Sequence, residues 1–141
     1  MILYLDTSSL VKLYVSEMES GMVRQLVDTA EVAASSRLAY VEARAAFARK
    51  RREYGVTPKD YRNIVQDFDR DWESYFLVDV SDALVKTAGH LAEKHALRGY
   101  DAIHLASAVT LRRQGDRPVT FTCFDTRLSL AARREGLKII S

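Results

Sequence analysis

Four acidic residues lie among apolar neighbours. Asp6 ends the run Ile2-Leu3-Tyr4-Leu5, and Glu42 follows Leu38-Ala39-Tyr40-Val41. Asp101 precedes Ala102-Ile103-His104-Leu105-Ala106, and Asp125 follows Phe121-Thr122-Cys123-Phe124. A buried carboxylate is costly unless it is paired or coordinates a metal. Four of them spread over one chain suggest a shared cation site. Ligands that are all oxygen suit a hard divalent ion such as Mg²⁺ or Mn²⁺.

Each acid also has a plainer explanation. Asp6 can cap a helix, although Thr7, Ser8 and Ser9 offer hydroxyls for the same purpose. Glu42 has Leu38, Ala39, Ala45 and Ala46 at the i±3 and i±4 positions, so it points along an apolar stripe. The alanines of that stripe leave room for an ion or a substrate. A buried ion pair with Arg44 or Arg98 is the alternative. Asp101 and Asp125 fall at helix starts, where the helix dipole favours negative charge. The helix behind Asp101 is apolar nearly all round, which encloses the acid. Asp67, Asp69, Asp71 and Glu73 sit among polar residues and read as solvated, and Asp79 and Asp82 are weaker rivals.

No other catalytic constellation competes. His90 and His95 are five apart and do not share a helix face. His104, at i+3 from Asp101, is either a satisfied structural histidine or a contributor to the same pocket. The six glycines are scattered, so no phosphate-binding loop is present. His-Glu-x-x-His and Gly-x-Ser-x-Gly are both absent.

The elements that must position these acids follow from pattern. Ile2–Asp6 reads as a strand, followed by a helix carrying Leu10, Leu13 and Tyr14. A second helix spans about Gly21–Thr29, and Val32-Ala33-Ala34 is a short strand. Ser35 and Ser36 offer caps for a long helix ending near Tyr54, where Gly55 supplies the left-handed stop. Thr57-Pro58 opens the next helix, with Ile64, Val65, Phe68, Trp72 and Tyr75 on its apolar face. Phe76–Val80 is a third strand, and Ser81 caps a helix from Asp82 to about Ala96. Gly99 breaks the chain before a helix that starts at Asp101 and ends near Gly115. Val119–Cys123 is a fourth strand, Asp125–Glu135 a helix capped by Gly136, and Lys138–Ile140 a last strand. Strands alternating with helices predict an α/β fold, three layers with a mostly parallel central sheet. Ligands bind beyond the carboxyl ends of such strands, where Asp6 and Asp125 stand.

The chain has 141 residues, 48% hydrophobic and 28% charged, which predicts one soluble domain over residues 1–141. No apolar run approaches the ~18 residues of a membrane helix, and no signal peptide is evident. The single cysteine, Cys123, fits a reducing cytoplasm and reads as a small buried hydrophobe. Net charge is only +2, but it is unevenly spread. Asp60 to Asp82 holds seven acids against two bases, and Arg112 to Lys138 seven bases against three acids. A basic patch near an acidic metal site suits a phosphate polymer, and solvated helix faces explain the same charges equally well.

Together these motifs resemble the PIN-domain ribonucleases, in particular the VapC-type toxins of prokaryotic toxin–antitoxin pairs. The resemblance covers essentially the whole chain. It is carried by Leu5-Asp6-Thr7-Ser8-Ser9-Leu10-Val11-Lys12, by Val41-Glu42, by Tyr100-Asp101-Ala102-Ile103-His104-Leu105-Ala106, and by Phe124-Asp125-Thr126-Arg127-Leu128. One departure is Cys123, where many relatives carry a hydroxyl; Thr122 and Thr126 lie close by. The resemblance implies a PIN-like fold and a Mg²⁺- or Mn²⁺-dependent endoribonuclease. Asp6 and Asp101 would be its principal metal ligands, with Glu42 and Asp125 completing the shell or activating water. Thr7, Arg98, Tyr100, His104 and Arg127 are candidate substrate contacts. The basic run Arg49-Lys50-Arg51-Arg52 reads either as RNA binding or as charge suited to a helix C-terminus. The partners implied are RNA, a small antitoxin protein and a second copy of the chain, joined through the first helices or the Trp72 helix.

Three other readings compete. A housekeeping RNA-processing nuclease keeps the fold and drops the antitoxin. A non-catalytic RNA- or protein-binding relative would not need all four acids. A phospho-receiver domain would want a second acid beside Asp6 and a lysine after a late strand. Here Thr7 follows Asp6 and Lys138 begins a strand.

Overall fold

A computed structural model describes residues 1–140. Among these residues five strands form one sheet: β1 (Ile2–Leu5), β2 (Val32–Ser36), β3 (Phe76–Val78), β4 (Val119–Thr122) and β5 (Lys138–Ile140). All pairs are parallel, in the order β3-β2-β1-β4-β5. Parallel strands need crossovers, and seven helices among the described residues supply them. They are α1 (Thr7–Val11), α2 (Ser20–Thr29), α3 (Ala39–Tyr54), α4 (Pro58–Trp72), α5 (Asp82–His95), α6 (Gly99–Gln114) and α7 (Thr126–Arg134).

Strand side chains alternate in direction, so the two faces of β1 go to two cores. Leu3 and Leu5 pack with Leu10, Val23, Ala43, Phe47 and Phe68 from α1 to α4. Tyr4 packs with Leu105, Phe121, Leu128 and Ala132 under α5 to α7. The three-layer α/β/α arrangement expected from the alternation of elements is therefore present, and the sheet is wholly parallel.

The order of the strands decides where a ligand can sit. The chain winds outward from β1 through β2 to β3, then returns to the other side of β1 for β4 and β5. The reversal falls between β1 and β4, and a crevice opens there at the carboxyl edge of the sheet. Leu5 pairs with Thr122 at that edge, and the Asp6 amide donates to the Thr122 carbonyl at 3.2 Å.

Several expectations are corrected. Ser35 and Ser36 belong to β2, although Ser36 Oγ still accepts the Leu38 amide at 3.1 Å just ahead of α3. Ser35 Oγ donates to the Leu5 carbonyl at 2.7 Å, so strand pairing and this bond hold it. The first helix stops at Val11, before Leu13 and Tyr14. Gly99 opens α6 instead of breaking the chain ahead of it. The apolar face of α4 is turned inward, Phe68 and Trp72 packing against Tyr40, with Tyr75 on Trp72. Of that face Phe68 is fully buried, while Ile64, Trp72 and Tyr75 are partly buried.

Candidate active site

Every one of the four acids stands at the N-terminus of a helix. Asp6 caps α1, its Oδ1 accepting the Ser9 amide at 2.9 Å. Asp125 caps α7, accepting the Leu128 amide at 2.8 Å. Glu42 lies in the first turn of α3 and Asp101 in the first turn of α6. The plain explanation and the functional one thus hold together. α1, α3 and α7 follow parallel strands and so start at the carboxyl edge, α6 follows α5 and starts beside them, and the positive ends of all four favour carboxylates gathered there.

The geometry brings all four acids to one pocket of about 160 Å³, together with Thr7, Ser8, Arg98, Tyr100 and His104. Asp6 is deepest, only 5% exposed. Ser8 Oγ donates to both of its oxygens, at 2.8 and 3.0 Å. Glu42 pairs with neither Arg44 nor Arg98. Its Oε1 accepts from Thr7 Oγ1 at 2.6 Å and from His104 Nε2 at 2.9 Å. His104 is buried, and its Nδ1 lies 2.8 Å from the Tyr4 hydroxyl. An ionised Glu42 only accepts, so Nε2 carries the proton, and Nδ1 of a neutral ring accepts from Tyr4. His104 is therefore both a satisfied core residue and a wall of the pocket.

Electrostatics separates the acids. Burial raises Asp6 above the usual carboxylate range, against the opposing pull of His104 and of the Ser9 and Ser8 hydrogen bonds. Burial also raises Asp101, helped by repulsion from Asp125 and Asp6. For Glu42 burial pulls upward, but the His104 and Thr7 hydrogen bonds outweigh it and hold the group below its ordinary value. Like charges crowded in a half-closed pocket call for a compensating cation. Among the described residues no three acidic, histidine or cysteine side chains converge tightly enough to chelate one as the rotamers stand. The donor set nevertheless fits a hard divalent ion, being all oxygen and carried on short or rotatable side chains.

Other expected contacts are placed differently. Arg127 donates to the Ala96 carbonyl at 3.2 Å and caps α5, away from the pocket. Arg98 and Tyr100 do line the pocket and bond each other at 2.9 Å. Cys123 is buried, its Sγ 3.1 Å from Ser129 Oγ, and burial pushes its thiol up to about 11. Sequence reasoning passed over Ser8 and Tyr4. A hydroxyl two residues after a capping acid signals the first. Nothing local signals the second.

A family model described as PIN domain matches residues 3–134. The chain belongs to the PIN-domain family. Within it, this PIN domain is 38% identical to Ribonuclease VapC45 and to Ribonuclease VapC49, from two Mycobacterium tuberculosis strains. Both matches cover 98% of this chain and 94% of the relative. Its relatives by sequence are thus VapC-type nucleases. Solved structures share the PIN fold at lower identity. The crystal structure of FitAcB from Neisseria gonorrhoeae matches with a TM-score of 0.67 at 17% identity, covering 100% of this chain and 97% of that one. VapBC2 from Rickettsia felis, bound to a promoter DNA fragment, matches with a TM-score of 0.65 at 14% identity, covering 99% and 98%. Among the described residues no helix of the PIN domain is long and apolar enough to cross a membrane.

Proposed function

We propose that this PIN domain is a Mg²⁺- or Mn²⁺-dependent endoribonuclease acting in the cytoplasm as the toxin of a toxin–antitoxin pair. One observation carries the reading: four carboxylates meet in one pocket at the switch point of the sheet. The names of the sequence relatives support ribonuclease activity. Structural neighbours that are toxin–antitoxin complexes support a small antitoxin protein as partner.

Asp6 and Asp101 would hold the cation, with Glu42 and Asp125 completing its surroundings directly or through water. A divalent ion bound there supplies a water of lowered pKa and neutralises charge that grows on the phosphate. Both hydrogen bonds to Glu42 fall on Oε1, which leaves Oε2 to accept the proton of the attacking water. Thr7 and His104 keep that carboxylate ionised and fixed. Arg98 meets phosphate oxygens, and Tyr100, 44% exposed, offers a ring for a base to stack on.

The test is incubation of the wild type and an Asp6→Asn/Asp101→Asn variant with a mixed RNA pool, in Mg²⁺ or Mn²⁺ and then in EDTA. Cleavage that needs both metal and aspartates is expected. Folded protein that neither cleaves nor binds metal by calorimetry would point to a non-catalytic binding module. Self-association belongs to the same proposal, and a monomer mass by light scattering at micromolar concentration would remove it.

A further inference from the structure

A second, larger hollow of about 610 Å³ adjoins the carboxylate pocket, and Thr7, Ser8, Glu42 and Tyr100 line both. It runs down the flank of the molecule along α3. Glu42, Ala45, Ala46, Arg49 and Lys50 fall on one stripe of that helix, at the spacings that share a face. The stripe changes character along its length. It starts with an acid, continues as a floor of two methyl groups and ends in cations. Arg49 lies about 10 Å from Glu42 along the axis and Arg52 about 15 Å, at 1.5 Å per residue.

The opposite wall adds Lys12 and Glu17, and Glu17 ties Lys12 to Lys50 of the stripe. Glu17 reaches Lys12 at 3.3 Å through one oxygen and Lys50 at 3.4 Å through the other. Lys12 also stands over the Phe124 ring at 4.8 Å, and Lys50 over Tyr54 at 5.4 Å. Each ammonium has three donors, and one carboxylate engages only part of them. Arg51 of the same basic run turns away and covers Tyr61 of α4, 4.8 Å from its centroid. Four cations, Lys12, Arg49, Lys50 and Arg52, therefore face the hollow against Glu17. Favourable charge at a helix C-terminus does not explain why three of them share a groove with Glu42.

We propose that this groove is the path of the RNA strand on one side of the cleaved bond. Phosphates lie against Lys12, Arg49, Lys50 and Arg52, the alanines keep the floor low enough for the backbone to pass, and Tyr100 stacks a base at the junction. The strand is single. Asp6 is recessed, and a flexible strand can dip to it where a stiff duplex cannot. The inference rests on the nuclease reading but is tested without cleavage.

The measurement is fluorescence anisotropy of a labelled single-stranded RNA dodecamer in EDTA, over a salt series. An Arg49→Gln/Lys50→Gln/Arg52→Gln variant is expected to bind at least tenfold more weakly. Its plot of log affinity against log salt is expected to be shallower by about 2, since each phosphate contact on a single strand contributes about 0.7. A control with Lys86→Gln, Arg113→Gln and Arg134→Gln should change less than twofold. Glu17→Gln frees both lysines and should tighten binding, while Tyr100→Ala weakens it and Tyr100→Phe does not. Equal losses in variant and control, or no binding by the wild type, would overturn the proposal. So would unchanged RNA binding together with weakened binding of polyglutamate, which would assign the groove to an acidic protein segment. Wild type that binds RNA through these cations yet never cleaves would unseat the nuclease reading and leave the groove standing.

Discussion

His104 holds Glu42 by a 2.9 Å bond from Nε2 to Oε1, and is itself held by Tyr4 at 2.8 Å. A tyrosine on the central strand thereby fixes the ring of a histidine that orients an acid on another helix. Removing a partner that orients a metal-site ligand typically costs 10–100-fold in activity or metal affinity. His104→Ala should lose activity by about that factor and weaken Mn²⁺ binding in calorimetry. His104→Gln can present an amide N–H near the position of Nε2 and should recover most of both. Equal loss in the two variants, after correction for stability, would reduce the residue to packing.

Asp6→Asn separates charge from structure. Asn caps helices about as well as Asp, so the bond from the Ser9 amide survives. Activity should fall at least about 100-fold. Mn²⁺ should raise the melting temperature of the wild type, because a ligand that binds only the folded state stabilises it. The Asp6→Asn/Asp101→Asn variant should show no such rise. A rise of equal size would place the cation elsewhere.

The same two acids give a pH dependence. Both have folded values raised above the unfolded carboxylate range. Their contribution to stability is full below an unfolded value of about 4 and is lost as pH rises through the folded values. Glu42 runs the other way: its contribution is present above the unfolded value and is lost as pH falls through its lowered folded one. In EDTA, the double Asn variant should therefore melt near the wild type at pH 4 and several degrees above it at pH 7. A gap that does not widen between those pH values would mean the acids are not strained by burial and repulsion.

Phe68 tests the scaffold apart from the chemistry. It is fully buried, with Tyr14, Tyr40, Phe47 and Trp72 at centroid distances of 5.2, 5.2, 5.4 and 5.5 Å. Phe68→Ala should cost about 3–5 kcal/mol, a loss of more than 10 °C at about 4 °C per kcal/mol. Cleavage well below the new melting temperature should persist. Loss of cleavage in folded protein would tie α4 to the site.

Much of this could be read from residue order, because local chemistry and tertiary structure agree at most boundaries. Thr57 and Ser81 do cap their helices, and Gly55 and Gly136 do take positive φ. The disagreements have physical causes. Ser35 and Ser36 are small and polar, equally apt for a cap or a buried strand, and pairing with β1 and β3 decides. Tyr14 leaves the helical path because its ring joins the cluster around Phe68 and its hydroxyl bonds Asp71 and Tyr75. The four acids were visible because each interrupts an apolar run. The Tyr4–His104 bond was not, since it joins residues 100 apart whose meeting depends on the whole sheet.

The place of β1 between β2 and β4 sets an order of events during synthesis. Asp6 emerges from the ribosome long before its strand finds its second neighbour, Val119–Thr122, and Asp125 follows three positions after that. Until then the crevice has one wall and the set of acids is incomplete. A chain made only as far as α6 carries Asp6, Glu42 and Asp101 without Asp125 and without the β4 wall of the crevice.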